Sequence, residues 1–539
     1  MEFMAEHFLA KRKLCGIALL AVVVLIAALP GQLRSAVQEG GTPDQIADAI
    51  EKNGEIFVDW PTPLFTLVFS GETDGYLEPC GCAGLENQKG GMKRRHTFLK
   101  QLTDKGWNPV AFDMGGQVRR TGPQAEMKYR YILRSLIDMG YSVVTFGLKD
   151  LQLSSEAILF VLANLNPEDN PLVSANVDLY GMAQPMKIVE TGGKKIGVTA
   201  VLGAKAGDLL TGNTEIEIKD PALALREVVP QIEAQNCDLN VLLVHGAPDE
   251  AAAIARQFPL FDLVATTGGA EEPPDRSRPI EGADSYLIEA GHKGQYVIAL
   301  GVYDDPQQPL RYQRVPLDHR FEDSPEMQDL LVEYQKELET TTLAGLGLTG
   351  IRHPEDSFAG SQVCADCHTT AFEIYEQTPH FHATDTLLHL EPPRQFDPEC
   401  LSCHVTGWNP QEYFPYESGF VGIKLSPLMH GNGCENCHGP AAAHVAAESG
   451  EETLSDAEIE SLRAALRLKI GENEGNVGDQ KPGRVVDMCV QCHPLGHSHD
   501  FEFRHRLIRN IEIRRDVLHV VVVVERFHHF QYCAGCLDI

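Results

Sequence analysis

The chain has 539 residues, of which 43% are hydrophobic and 22% are charged, a composition typical of globular proteins and a length that allows two or three domains. Its formal net charge of −31 argues against a nucleic-acid ligand, because two polyanions repel each other. The acidic balance is typical of a soluble protein or of one that docks basic partners.

The N-terminus has the pattern of an export signal. A basic run at residues 11–13 precedes an apolar run at 14–29, and a polar stretch follows. This order is typical of a secretory signal, and sixteen apolar residues are few for a membrane-spanning helix. We therefore predict that residues 1–40 are a signal peptide or an uncleaved membrane anchor, and that the rest of the chain is periplasmic or otherwise extracytoplasmic.

Residues 60–320 alternate short β-rich runs with helical patterns, which predicts a layered α/β domain. A further helical stretch at 324–338 leads into a Gly/Thr-rich sequence, so that 321–357 is interpreted as a helix and linker. The predicted strands are 64–70, 109–115, 141–147, 194–203, 239–246 and 284–291, and predicted helices include 154–165 and 221–235.

The composition changes in the last third of the chain. Ten of the 14 cysteines follow residue 360, and sixteen of the 21 histidines follow residue 350. Strand patterns become rare there and turns frequent. This shift marks a domain boundary, and we predict a mostly α-helical, loop-rich domain at 358–515 followed by an unassigned tail at 516–539.

The sequence Cys-x-x-Cys-His occurs four times in this second domain. Two thiols at that spacing form thioethers with the vinyl groups of a haem, and the histidine offers its ring to the iron as the proximal ligand. Zinc would not require a histidine after every second cysteine, a thioredoxin-like dithiol would occur once, and structural disulfides would not keep one spacing across four pairs. We therefore predict four covalently bound haems c, held by Cys364, Cys367 and His368; Cys400, Cys403 and His404; Cys434, Cys437 and His438; and Cys489, Cys492 and His493.

The sixth position on each iron decides what each haem can do. A second histidine gives a saturated centre suited to electron transfer, whereas an open position permits substrate chemistry. A fifth cysteine pair, Cys533 and Cys536, lacks the following histidine and is not interpreted as a haem site. The candidate distal ligands are His380, His382, His389, His430, His444, His497, His499 and His505.

Around the four motifs the chain reads "FAGSQVCADCHTTAFEIYEQTPHFHATDTL", "CLSCHVTGW", "GCENCHGPAAAHV" and "CVQCHPLGHSHDFEF". Over about residues 358–505 it resembles the tetrahaem cytochrome c-554 family. The resemblance implies a mostly α-helical, exported electron carrier that exchanges electrons with redox partner proteins. Its haems would be closely stacked, some with two histidine ligands and often one less fully ligated. The resemblance makes His380 the first candidate distal ligand with His382 second, and His444 the next, while His497 is a candidate where the family pattern differs.

The first domain contains "GETDGYLEPCGC", "FDMGG", "TFGLKDL", "LLVHG" and "EAGHKGQY" in that order. Over about residues 62–305 it resembles the 5′-nucleotidase branch of the metallophosphoesterases. That family holds two metal ions with D-x-H, G-D, G-N-H-E, a single histidine and G-H-x-H, and the ions activate water and clamp the phosphate oxygens. The matching positions here are Glu72 and Asp74; Gly116, preceded by Asp113; Gly147, Leu148, Lys149 and Asp150; His245; and Gly268, Gly269, Ala270 and Glu271.

These departures predict that the two-metal mechanism is lost. The bridging aspartate is replaced by Gly116, and Lys149 adds a positive charge where the family has the catalytic histidine. Carboxylates suit magnesium or calcium, so a divalent cation in this domain remains an open but disfavoured alternative. The side chains that could hold it are Glu72, Asp74, Asp150 and Glu271.

The sequence as a whole predicts a multidomain protein, with a layered α/β metallophosphoesterase-like domain and a multihaem cytochrome c domain. Three functions remain in competition. The favoured one is an electron carrier whose first domain is a scaffold or binding module. The second is a haem oxidoreductase acting on a small nitrogen or sulfur species at an open iron. The third is a phosphoesterase with accessory haems. No role follows for Cys80 and Cys82.

Overall fold

The structure is a computed structural model of the 539-residue chain. It describes residues 41–79, 88–163, 165–166, 169–210, 216–467 and 491–492. The predicted export signal, Cys80, Cys82 and the predicted tail lie outside these ranges. Within them, no helix combines the length and the apolar character needed to cross a membrane.

The strands of the described residues fall mainly in the first domain, where β1 to β13 lie, and a short pair lies in the cysteine-rich region. In chain order they are β1 (Phe65–Ser70), β2 (Pro109–Asp113), β3 (Val143–Val144), β4 (Val177–Asp178), β5 (Lys187–Thr191), β6 (Lys194–Leu202), β7 (Glu217–Ile218), β8 (Leu239–His245), β9 (Leu263–Thr266), β10 (Arg278–Pro279), β11 (Tyr286–Glu289), β12 (Tyr296–Val302), β13 (Leu310–Pro316), β14 (Trp408–Asn409) and β15 (Phe414–Pro415).

Two sheets of the first domain lie face to face. The first has the strand order β13-β12-β1-β2-β3, in which β1 is parallel to β2 and antiparallel to β12. The second has the order β10-β11-β9-β8-β6-β5, and its four central strands are parallel to one another. Parallel neighbours need long crossover connections, which the helices between the strands supply. A separate antiparallel pair joins β4 to β7.

The helices of the first domain and of the connection after it begin mostly at proline or after a capping side chain, as helix starts commonly do. They are α1 (Pro43–Asn53), α2 (Met92–Asp104), α3 (Pro123–Asp138), α4 (Ser155–Leu162), α5 (Ala204–Asp208), α6 (Pro221–Glu233), α7 (Pro248–Gln257) and α8 (Pro325–Gly345), with a 3₁₀ turn at Asp150–Gln152.

Three apolar cores give this domain four layers. Successive residues of a strand point to opposite faces of its sheet. Leu67 of β1 and Leu243 of β8 therefore meet in the core between the two sheets. Val68 faces the other way, into a core shared with α2, α3 and α8, and Val244 faces a third core with α6 and α7. The order of layers is helix, sheet, sheet, helix.

Most of the predicted elements are confirmed. Five of the predicted strands correspond to β1, β2, β6, β8 and β11, and the three predicted helices correspond to α4, α6 and α8. The predicted strand at 141–147 contains only the two-residue β3. In this domain the sequence patterns missed β5, β9, β12 and β13, and also the two-residue strands β4, β7 and β10. Of these, β12 and β13 form an antiparallel hairpin that completes one edge of the first sheet.

The described part of the cysteine-rich region consists of short helices joined by loops, together with the antiparallel pair β14–β15. Its helices are α9 (Ser361–Cys364), α10 (Thr369–Tyr375), α11 (Ala383–His389), α12 (Pro398–His404), α13 (Cys434–His438), α14 (Ala442–Glu448) and α15 (Asp456–Leu466), with a 3₁₀ turn at Pro427–Met429.

Candidate functional site

Three of the four Cys-x-x-Cys-His motifs lie within the described residues, and each is wound on one helical turn. The first spans the end of α9, where the His368 amide donates to the Cys364 carbonyl at 2.8 Å. The second ends α12, and the third is α13 itself. Of the fourth motif only Cys492 is described, and Cys489 and His493 lie outside the described residues. The helical turn places both thiols and the imidazole on one side of the backbone.

The first and third motifs are joined by a buried carboxylate. Glu435 lies between the two cysteines of the third motif and is only 2% exposed. Its oxygens accept from the amides of Ala359 and Gly360, just before the first motif, at 2.8 and 2.7 Å, and from the Ala441 amide at 2.9 Å. The Cys434 amide donates to the Ser361 hydroxyl at 2.9 Å. These contacts fix the two attachment segments against each other.

The second motif is joined to the third by hydroxyl and amide side chains. The Thr384 hydroxyl donates to the His404 carbonyl at 2.7 Å, and the Asn432 amide donates to the Cys403 carbonyl at 3.1 Å. The Asn436 amide, from within the third motif, donates to the Val405 carbonyl at 3.0 Å. All three described motifs therefore belong to one polar network.

The donor groups of the motifs fit a covalently attached haem. Among the described residues, the seven motif cysteines are outside any disulfide. The Nδ1 atoms of His404 and His438 donate to the carbonyls of Ala383 and Leu466, each at 2.8 Å. A ring held this way keeps its Nε2 lone pair for a metal, which is how metal-binding histidines are usually oriented.

The small apolar core of this region also fits a bulky cofactor. Among the described residues of this region the buried cluster has six members, and partly buried side chains such as Phe358 and Ile423 pack against it. A segment of this length would ordinarily need a larger core. Haem groups held by the motifs would supply the missing apolar surface. The cluster consists of Leu387, Leu401, Val405, Trp408, Phe420 and Met429.

One pair of imidazoles has the spacing that two ligands of a single metal require. The ring centres of His368 and His444 are 6.5 Å apart, with the ring planes inclined by 34°. A metal–imidazole nitrogen bond is about 2 Å, so rings on opposite faces of one ion have centres about 6 Å apart. The Nδ1 atom of His444 is buried and makes no hydrogen bond, and it lies 3.8 Å from a carboxylate oxygen of Glu448.

The other candidate distal histidines have different surroundings. The backbone of His380 is held close to the third motif, since its carbonyl accepts from the backbone amide of Asn432 at 2.9 Å. His382 is exposed, with Nδ1 3.5 Å from an oxygen of Asp385. The remaining described candidates use one ring nitrogen on a backbone carbonyl: Nδ1 of His389 and Nε2 of His430. His497, His499 and His505 lie outside the described residues.

The second motif is anchored on the phosphoesterase-like domain. Glu399, beside Cys400, lies 2.8 Å from the ammonium of the buried Lys128 on α3 and 3.7 Å from the Arg119 guanidinium. Burial alone would raise the pKa of Glu399, but the charges of Lys128 and Arg119 outweigh it and lower this pKa. Arg119 also donates to the Tyr413 hydroxyl at 2.9 Å. No sequence pattern near Glu399 indicated this contact.

A second set of contacts holds the start of the same helix. Asp397 caps α12, and its oxygens also accept from the amide of Gln124 on α3 at 2.8 Å and from the amide of Gln335 on α8 at 3.1 Å. The Arg394 guanidinium donates to a carboxylate oxygen of Glu78 at 2.9 Å through Nε. The helix that carries the second motif is therefore fixed to both α3 and α8.

The surviving family residues of the phosphoesterase-like pocket are occupied by structural contacts. Both carboxylate oxygens of Asp150 accept backbone amides, from Gly116, Gln117, Val118 and Gly147. His245 donates from Nδ1 to the Met114 carbonyl at 3.1 Å and accepts at Nε2 from the Leu148 amide at 3.2 Å. Burial lowers the pKa of His245 to about 4, which keeps its ring neutral.

Asp113 is similarly engaged. One oxygen accepts from the Gly115 amide at 3.0 Å, and the other accepts from the Ser70 hydroxyl at 2.6 Å and lies 3.6 Å from the Arg95 guanidinium. Arg95 is 1% exposed. A carboxylate held between a hydroxyl, an amide and a buried cation is fully engaged in structural contacts, so Asp113 serves the fold.

A side chain at the position of the bridging aspartate would displace the Glu72 carboxylate and strain the backbone. Gly116 adopts φ +79°, and a Cβ built there would lie 2.8 Å from Oε2 of Glu72. The neighbouring Gly147 is equally tight, since its Cβ would lie 2.3 Å from the Gly116 amide nitrogen. The pocket residues therefore do not fit the two-metal centre that the resemblance implied.

Comparisons with known proteins agree with this two-part organisation. The family model of cytochrome c554 and c-prime matches residues 363–439. The chain is 29% identical over 96 residues to cytochrome c-554 of Nitrosomonas europaea, which covers 15% of this chain and 38% of that protein. It is 22% identical over 191 residues to snake venom 5′-nucleotidase of Gloydius brevicauda, which covers 34% of this chain and 32% of that protein.

Among solved structures, a 5′-nucleotidase precursor from Thermus thermophilus matches with a TM-score of 0.44 and 18% identity, over 60% of this chain and 66% of that chain. The chain spans only 38% and 32% of the length of the two curated relatives. Taken together, the comparisons show that residues 363–439 match the cytochrome c554 family and that the N-terminal region is similar to 5′-nucleotidases.

Proposed function

We propose that this protein is an exported multihaem c-type cytochrome that carries electrons between redox partner proteins, with one haem on each of its four Cys-x-x-Cys-His motifs. The observation that carries the proposal is the convergence of the three described motifs into one polar network through Glu435, Thr384 and Asn432. Haem supplies a one-electron iron couple whose potential depends on axial ligands and burial. Attachment points held this close favour exchange between neighbouring centres.

The chain's own residues would hold and orient these groups. The cysteines supply thioether bonds, and His368, His404 and His438 supply proximal nitrogens. The hydrogen bonds from Nδ1 of His404 and His438 to backbone carbonyls fix the tautomer and make Nε2 a stronger donor. The spacing of His368 and His444 supports a centre with two imidazoles, which favours an electron carrier over a substrate-binding iron.

We further propose that the phosphoesterase-like domain is an inactive scaffold for the haem region. One support is that Asp113, Asp150 and His245 are engaged in structural contacts. The other is that Glu399, beside the second motif, pairs with Lys128 of the phosphoesterase-like domain. Export is proposed from the basic and apolar pattern of residues 1–40, which would also allow an anchor in the membrane.

A redox titration of the full chain isolated from an exporting host tests the proposal. We expect four electrons per chain, a low-spin spectrum, and little change when carbon monoxide is added to the reduced protein. A shifted Soret band on adding carbon monoxide to the wild-type protein would indicate an open iron and favour an oxidoreductase instead. Hydrolysis of a chromogenic phosphodiester in the presence of manganese, abolished by His245→Ala, would contradict the inactive scaffold.

A further inference from the structure

A different set of possible metal ligands lies in the phosphoesterase-like pocket. Glu72, Asp74 and His292 each offer one ligand atom, and the three atoms lie within 4.8 Å of one another. All three side chains are partly buried. The first two occupy the D-x-H position of the family pattern, whereas His292 belongs to "EAGHKGQY" and matches none of the family's ligand positions. The triad therefore shares two positions with the family's two-metal centre and differs from it in its histidine ligand.

The fold brings the triad together from two loops. Glu72 and Asp74 follow β1, and His292 follows β11. The Gly294 amide donates to the Glu72 carbonyl at 3.1 Å, and the Lys293 amide donates to a carboxylate oxygen of Asp74 at 3.2 Å. These contacts hold the two loops in register, so that the three side chains converge.

The imidazole of His292 is oriented as a metal ligand would be. Its Nε2 donates to the Gly269 carbonyl at 3.1 Å, which leaves the Nδ1 lone pair for a cation. Histidines that bind metals usually donate their other ring nitrogen to a carbonyl or carboxylate in this way. Gly269 stands where the family has a ligand histidine, so the segment that lost the ligand now supports its replacement.

The neighbouring carboxylates leave room for one cation only. Asp113 and Asp150 are engaged by backbone amides, and Glu271 is paired with the ammonium of Lys293 at 2.8 Å. A second ion in the pocket would lack a bridging ligand, because Gly116 has no side chain. Two carboxylate oxygens with one imidazole nitrogen suit a first-row divalent ion better than calcium or magnesium, which prefer oxygen alone.

We propose that Glu72, Asp74 and His292 bind a single first-row divalent metal ion, such as Mn²⁺, Fe²⁺ or Zn²⁺, with its remaining positions open to water. The site goes beyond the proposed electron carrier and does not depend on it, since none of the three residues belongs to the haem region. The charge of Arg119, which lies 3.7 Å from the Glu399 carboxylate at the second motif, also acts on Asp74 and lowers its pKa against the effect of burial.

Titration of the chelator-treated full chain with Mn²⁺, followed by electron paramagnetic resonance of the free ion, tests the site. We expect one saturable ion per chain, and nitrogen coupling in the electron spin echo of the bound ion from one imidazole. Asp74→Asn and His292→Ala should each weaken binding by at least about tenfold, because even outer contacts of metal ligands are worth 10–100-fold. Asp275→Asn, which removes an exposed carboxylate paired with Arg276, is the control and should retain the wild-type affinity.

Three results would overturn the proposal. The wild-type protein could show bound Mn²⁺ without nitrogen coupling, which would exclude His292 without relying on any variant. Glu271→Gln could weaken binding as much as His292→Ala, which would mean that Glu271, at the family's G-H-x-H position, is itself a metal ligand. The wild-type protein could bind two equivalents of Mn²⁺ and Asp74→Asn could lose both, which would mean a two-metal centre. Circular dichroism of each variant shows whether it is folded.

Discussion

The contact between the two parts of the chain should depend on Glu399 more than on Lys128. The Glu399 carboxylate faces two cations, at 2.8 Å in Lys128 and 3.7 Å in Arg119, and Lys128 is only 7% exposed. Glu399→Gln leaves both cations facing a neutral amide. Lys128→Met leaves the carboxylate with Arg119 and with the favourable N-terminal end of α12.

Breaking a buried pair costs about 3–5 kcal/mol, and breaking an exposed one about 0–1 kcal/mol. Because the Glu399 side chain is 23% exposed, we expect Glu399→Gln to lower the free energy of unfolding by about 2–4 kcal/mol and Lys128→Met by about 1–2 kcal/mol. The double variant should be more stable than Glu399→Gln alone, since it removes the unpaired buried ammonium. Urea unfolding followed by far-ultraviolet circular dichroism measures these differences.

The matched control is Glu339→Gln, which removes the carboxylate of an exposed pair with Lys336 and should cost less than about 1 kcal/mol.

The contact of Glu399 with Lys128 and Arg119 also predicts that stability depends on pH. The pKa of Glu399 is lowered in the folded protein, so its stabilising effect is complete above the ordinary carboxyl pKa and is lost as the pH falls through the folded value. Glu399→Gln should remove that acid-side loss. Equal costs for Glu399→Gln and Glu339→Gln would refute the reasoning.

Three further variants test other parts of the structure. Glu435→Gln should lower the free energy of unfolding by about 2–3 kcal/mol in a urea titration, because an amide cannot accept all three backbone amides that the carboxylate holds. His444→Ala should leave one iron with an open position and produce carbon monoxide binding by about one haem per chain, whereas His389→Ala should not. Gly116→Asp should not generate phosphodiesterase activity, and it should lower the melting temperature, because the new side chain collides with a neighbouring carboxylate at a strained φ.

The layered fold was largely predictable from the sequence, because most of its strands are apolar runs of useful length between clear turns. β9 has four residues and β5 is mostly half-buried, so both give weak strand patterns. β12 and β13 lie edge to edge as a hairpin, and β13 is mostly half-buried, so its hydrophobic pattern is weak. Short length and partial burial therefore explain most of the missed strands.

The haem-attachment residues could be read directly from spacing, because the chemistry is contained in five consecutive residues. The contacts between the two domains could not be predicted from the sequence. Lys128 and Glu399 are separated by 271 positions, and nothing in either local sequence indicates the other. His292 was visible inside a quoted motif, but only the structure places it beside Glu72 and Asp74.

The loss of the phosphoesterase centre was predictable in part. The substitutions themselves are apparent in the sequence, whereas their physical consequence is not. Only the structure shows that His245 uses both ring nitrogens on backbone groups, and that a side chain at Gly116 would collide with Glu72. A surviving family residue is thus no evidence of a surviving site.

The intact mass of the exported full chain tests the central claim most directly. The account predicts a mass above that of the polypeptide by four haem groups, and a loss of covalent attachment at a single site when Cys400→Ser and Cys403→Ser are combined. A protein that has the mass of the bare polypeptide, or that carries zinc on these cysteines, would contradict it.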